Sequence, residues 1–139
     1  MAYNGYLIKT GSYTVPFDYI TASTFKCGIQ GQDLDSKRNA NGILKRDALE
    51  NEVIQAEWDV PAPISEKKMR PLMSNIQKQY INKLEKKVSV TAWMPEIGAY
   101  VTMDCYMPSI EYTVQYADEK DITYDSFHLK FIGYGGKVR

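Results

Sequence analysis

The segment DLDSKRNANGILKRD, from Asp33 to Asp47, combines aspartates, two asparagines, a glycine and four basic residues, a composition that invites a metal or phosphate site. A calcium loop of the EF-hand type needs oxygen ligands at its first, third and fifth positions, glycine at the sixth and glutamate at the twelfth. Setting Gly42 at the sixth position puts Lys37 first and Ala48 twelfth, which removes the cage. A phosphate-cradling loop fails too, because NANG holds a single glycine and lacks the Gly-Lys-Ser/Thr ending. His128 is the only histidine, so any Ser/His/Asp or Cys/His machinery has one candidate base. It alternates with Phe127 and Leu129, no GxSxG, HExxH or CxxC accompanies it, and it reads as a strand-surface residue. Asp118, Glu119 and Asp121 in ADEKD read as a solvated turn, and no motif marks them as a glycosidase pair. Cys27 and Cys105 match no zinc spacing and read as reduced core thiols. Lys67, Lys68, Arg70, Lys83, Lys86 and Lys87 bracket a helical segment without interleaved aromatics, the pattern of a solubilising face rather than a nucleic-acid patch. No catalytic, cofactor-binding or metal-binding residue is assigned.

The totals agree with a protein that does not need such a site to fold. A chain of 139 residues can bury about two thirds of the surface its unfolded form exposes, so no disulfide or metal staple is required. Seventeen basic residues balance seventeen acidic ones, which removes the global pull of a general nucleic-acid binder. No apolar run approaches the roughly 20 residues that span a bilayer, and the N-terminus carries no secretory pattern, so the chain is expected to fold in a cytoplasm. Tyrosine is the outlier, with eleven copies. Its ring covers apolar surface while the hydroxyl stays near water or a partner, which suits half-buried strands and subunit boundaries.

Period-two alternation dominates the chain. Tyr6–Ile8 and Tyr13–Val15 flank a turn at Thr10, Gly11 and Ser12, and YITASTFKCGIQ reads as a longer strand. Ile54, Ala56, Trp58 and Val60 alternate with Gln55, Glu57 and Asp59. Further alternating segments cover 88–94, 100–107 and 110–116, and a last strand sets Phe127, Leu129 and Phe131 on one face. Helical spacing occurs once, over about 67–84, where Met69, Leu72, Met73, Ile76, Tyr80 and Leu84 step by three or four. Ser65 is a candidate cap, but Pro71 would then cost a backbone hydrogen bond, which favours a start at Lys67 or Lys68. Between the strands, about 31–51 forms a polar arm whose tip Asn41 and Gly42 can shape. The fold expected is a single mainly β domain over 1–139, a β-sandwich or partly open antiparallel barrel with one flanking helix. Ordering so long a polar arm costs entropy that a neighbouring subunit would offset.

YNGYLIKTGSYTVPFDYI, QDLDSKRNANGILKRDALEN and a helix followed by a Tyr-rich β half together resemble a family of small prophage or siphophage tail-module proteins of Gram-positive bacteria. The most distinctive part is D-L-D-S-x-R-x-A-N-G-x-L-x-R, from Asp33 to Arg46, and the resemblance spans nearly the whole chain. It implies a tail-tube-like fold, hexameric rings and an arm that reaches an adjacent subunit or ring. It also implies that Asp33, Asp35, Arg38 and Arg46 are charged contacts between subunits, with Asn41 and Gly42 shaping the arm. The implied partners are further copies of the chain, neighbouring tail rings and a tape-measure protein, with DNA only as passing cargo, no membrane and no cofactor. The implied location is the virion, in the tail tube or a baseplate-proximal adaptor. The alternative is a monomeric β-barrel module that binds a small ligand or carbohydrate through Tyr and Trp side chains. A hydrolase built on the acidic turn and His128 is a third reading.

Overall fold

A computed structural model of the chain describes residues 3–138, with side chains described throughout that range except at 33–38 and 45–48. Twelve strands and one α-helix follow one another as β1 (Ile8–Thr10), β2 (Tyr13–Thr14), β3 (Lys26–Gln30), β4 (Asp33–Arg38), β5 (Leu44–Ala48), β6 (Val53–Val60), β7 (Ile64–Ser65), α1 (Glu66–Lys78), β8 (Lys87–Met94), β9 (Ala99–Tyr106), β10 (Val114–Ala117), β11 (Ile122–Tyr124) and β12 (Phe127–Gly133). Seven strands form one antiparallel sheet in the order β2-β1-β8-β9-β12-β6-β3. Its last strand, β3, approaches β8, so the sheet curls towards a partly open barrel. A three-stranded sheet, β10-β11-β7, lies beside the helix, and β4 pairs with β5 alone. The mainly β class with one helix is therefore the observed one.

Alternation decides which way the sheet faces. Ile54, Ala56, Trp58 and Val60 of β6, Val88, Val90, Ala92 and Met94 of β8, and Phe127, Leu129 and Phe131 of β12 are all buried. The residues between them point outwards, because successive side chains of a strand leave on opposite faces. Trp58 is central to the core: it stacks between Phe25 at 5.8 Å and Phe131 at 6.1 Å, and its Nε1–H donates to the Tyr19 carbonyl at 3.0 Å. Where β12 leaves β6 to meet β9, Gly133 is required. A Cβ there would lie 3.0 Å from the backbone nitrogen of Ile54, and backbone cannot step aside as a flexible side chain can.

Three expectations about elements are corrected. The long strand over YITASTF is absent: two 3₁₀ turns, Phe17–Tyr19 and Ala22–Thr24, occupy it, and pairing begins only at Lys26. The cause is local hydrogen bonding by threonine. Thr24 Oγ1 donates to the Thr21 carbonyl at 2.6 Å and accepts from the Asp59 amide at 2.9 Å, binding the segment to β6 without a ladder. The strand expected at 110–116 shrinks to Val114–Ala117.

The helix runs over Glu66–Lys78, earlier at both ends than 67–84. Ser65 is the cap after all, its Oγ accepting from the Lys68 amide at 3.3 Å, and a bidentate Arg70–Glu66 pair braces the first turns. Pro71 sits inside, and the burial of Met69, Leu72, Met73 and Ile76 offsets its missing donor. Past Gln79 the chain turns because Asn82 Oδ1 accepts from the Leu84 and Glu85 amides, and Lys86 takes a left-handed φ of 54° before β8. Leu84, placed on the apolar stripe by its spacing, is instead 98% exposed.

Candidate functional site

The arm is a two-stranded hairpin whose backbone register sets Asp33 opposite Ala48, Ser36 opposite Arg46, Lys37 opposite Lys45 and Arg38 opposite Leu44. At its base the Leu49 amide donates to the Gln32 carbonyl at 2.7 Å, and Gln32 Nε2 donates to the Asn51 carbonyl. The tip is built by a residue that composition did not single out. Asn39 Oδ1 accepts from the amides of Asn41 at 2.9 Å and Ile43 at 3.0 Å, while the Asn39 carbonyl accepts from Gly42. Gly42 has φ of +81° and supplies the left-handed turn. Asn41 joins the tip through its backbone amide, and the side chain that holds the turn is that of Asn39. The expected contacts of Asp33, Asp35, Arg38 and Arg46 fall on side chains outside the described residues. Ile43 at 61% and Leu44 at 41% are exposed apolar side chains at the end of an otherwise polar projection.

A second constellation lies on the outward face of the curled sheet. His128 of β12 is directly opposite Asp59 of β6, and Lys130 is opposite Glu57, which in turn faces Lys26 of β3. His128 Nδ1 lies 2.6 Å from Asp59 Oδ1 and its Nε2 lies 2.8 Å from Glu57 Oε2, while Lys130 Nζ is 3.8 Å from the same Glu57 oxygen. A general base presents one ring nitrogen to its substrate and is held by the other. Here both nitrogens face carboxylates, which favours the doubly protonated imidazolium and makes the group a charge clamp across two strands.

The hydrogen bond to Glu57, helped by Asp59 and opposed by partial desolvation, raises the His128 pKa above 6.5. The same bond, with Lys130 and Lys26, lowers the Glu57 carboxyl below 4.5. A raised histidine stabilises the fold fully below 6.5 and loses that contribution as pH rises through its folded value. A lowered glutamate stabilises above 4.5 and loses it as pH falls. The clamp is therefore strongest between pH 4.5 and 6.5. With the His128 side chain 46% exposed, solvent screening limits it to about 1 kcal/mol or less. Urea melts from pH 6 to 9 are expected to show the parent losing that increment relative to His128→Gln. Parallel profiles for the two proteins would contradict the clamp.

The tyrosines largely serve the chain itself. Hydroxyls of Tyr19, Tyr100, Tyr116, Tyr124 and Tyr134 bond to the Lys68 carbonyl, the Tyr6 carbonyl, Asp118, Glu66 and Glu85. Tyr100 also stacks on Tyr6 at 4.5 Å and meets the edge of Trp93. Along the C-terminal half of α1, an open groove of about 630 Å³ runs between buried Met73 and Met107, with Tyr80, Tyr112, Lys83 and Lys86 around it. Burial pushes the Tyr80 hydroxyl up to about 12, so it is a neutral donor there. Both cysteines are free, and burial pushes the Cys105 thiol up to about 12, which makes it a packing group rather than a nucleophile.

Among the described residues a curled antiparallel sheet, one α-helix and an arm paired only with itself define a mainly β protein, and no cluster of three or more potential metal ligands occurs there. None of its described helices is long and apolar enough to cross a membrane. The chain belongs to the family of unknown function DUF6711, which it matches over residues 1–134. Comparison with curated proteins and with solved structures returns no match.

Proposed function

We propose that the chain is a structural subunit whose copies assemble through the arm and through strand edges, and that the assembly is a ring of a phage or prophage-derived tail, in the tube or a baseplate-proximal adaptor. The observation that carries the reading is the β4–β5 hairpin, which among the described residues pairs with no other strand and holds Ile43 and Leu44 out in solvent. An isolated two-stranded hairpin is marginal in water, so a second protein surface is what would order it. The tail setting rests on the resemblance carried by Asp33 to Arg46. In that setting charged arm residues fix register between subunits more than they add affinity, and ring closure removes exposed edges. No turnover is required.

Light scattering with negative-stain imaging of the purified chain tests this. Particles of several times the 15.9 kDa protomer mass, with a ring or stacked-ring outline, are expected. A monodisperse monomer at every accessible concentration would contradict assembly and favour the ligand-binding module, with the groove beside Tyr80 and Tyr112 as its site.

A further inference from the structure

The arm needs a place to land, and the fold offers one whose edge and charge both match. β10 is the end strand of its sheet, paired among the described residues with β11 alone, so its outer edge carries unsatisfied backbone donors and acceptors. Every residue of β10 is exposed, including Val114 at 49% and Tyr116 at 60%, and Tyr112 just before it is exposed as well. Free edges of this kind template pairing with another strand. The turn beyond its end is acidic, with Asp118, Glu119 and Asp121 against the single Lys120, while Glu111 precedes the strand beside His128 and Lys130, and Arg70 lies near Tyr112. That turn is rigid, since Asp118 Oδ1 accepts from the Lys120 and Asp121 amides at 2.8 Å and Tyr116 Oη donates to its other oxygen.

The distal half of the arm is complementary, Asp33, Asp35 and Asp47 lying towards its base. From Lys37 to Arg46 it has four basic residues and no acidic one, together with exposed Ile43 and Leu44, and each of its strands has an edge that no other described strand uses. The groove on the other side of Tyr112 is a poorer landing place for the same tip, since Lys78, Lys83 and Lys86 line it.

We infer that the β10 edge, with Tyr112, Val114, Tyr116 and the acidic turn at 118–121, is the docking surface for the arm of a second copy of this chain. The contact is a strand addition: the hairpin extends the β10-β11-β7 sheet, Ile43 and Leu44 cover the exposed tyrosines and Val114, and the basic tip lies against the acidic turn. Because donor and acceptor are different surfaces, the contact is heterologous, the type that closes rings or stacks them. This inference rests on the proposed arm-mediated assembly and adds the acceptor.

Charge exchange separates the two claims. The arm set is K37E, R38E, K45E and R46E; the face set is E111K and E119K, which leave the Asp118 turn bonds intact. Circular dichroism confirms folding, and sedimentation reads association. Each set alone is expected to weaken self-association at least about tenfold. An equimolar mixture of the two proteins, and one chain carrying both sets, should recover it, since each then offers opposite charges. If the arm set abolishes assembly while the face set assembles like the parent, the acceptor is elsewhere and arm-mediated assembly stands. Failure of the mixture and the combined chain to recover likewise overturns the acceptor. If the arm set itself assembles like the parent, the arm reading fails and the docking surface with it.

Discussion

Deleting Asn39–Ile43 is expected to leave a folded protomer that no longer forms rings or stacks. The deletion removes the Asn39 carboxamide that holds the tip and leaves Arg38 and Leu44, which are cross-strand partners, as a two-residue loop. Two-residue hairpin loops demand left-handed backbone, which neither residue adopts readily. The hairpin therefore loses its shape, but the cost stays local. Among the described residues β4 and β5 pair with no strand of the core, so stability should fall by less than about 1 kcal/mol. Association should suffer far more. Full burial of a Leu or Ile side chain is worth about 1.5–3 kcal/mol, and Ile43 and Leu44 are each roughly half exposed before docking. The deletion removes Ile43 and displaces Leu44 from the tip, so the burial the two would gain on docking, about 1.5–3 kcal/mol together, is forfeited, and association is roughly 10- to 150-fold weaker at every arm contact. Sedimentation at several concentrations reads this directly. A deletion variant that assembles like the parent would show that the arm does not join subunits.

The largest loss of stability is expected at Trp58. Its side chain is fully buried, with an aromatic ring on either side and its one donor satisfied by the Tyr19 carbonyl. Trp58→Ala opens a cavity at the junction of β6, β12 and the 3₁₀ segment and orphans that carbonyl, for a cost of about 3–5 kcal/mol. Against a total stability of about 5–15 kcal/mol this takes a large share, and a fall in melting temperature of more than about 10 °C should follow. Trp58→Phe separates the contributions, because it keeps the ring stack and gives up only the hydrogen bond and some volume. About 1–3 kcal/mol is expected for it. A Trp58→Ala protein within 1 kcal/mol of the parent would mean that the core is not organised around this ring.

These consequences differ in how far they could be read from residues alone. β6, β8, β9 and β12 are legible because one face of each is buried, so apolar and polar types alternate along them. The segment from Phe17 to Phe25 alternates as well, yet Thr21 and Thr24 spend their groups on local and β6 contacts, and the strand is replaced by turns. The helix end was hidden by Leu84, whose spacing continues the stripe although the Asn82 turn has already carried the chain away. The clamp of Glu57, Asp59 and His128 shows a further limit. Each residue can be placed on an outward face by alternation, but that β6 and β12 are neighbours in matched register depends on non-local pairing, which alternation does not encode. For the arm, its existence and its glycine turn were legible, whereas the organising role of Asn39 required the geometry of the tip.

Hydrogen exchange of the full chain across a dilution series most directly tests whether the arm is held by another copy. Amides of residues 33–48 are expected to be protected at concentrations where assemblies form and to exchange rapidly once dilution yields the 15.9 kDa protomer, while β6 and β8 remain protected throughout. Arm protection that is the same in protomer and assembly would contradict the account.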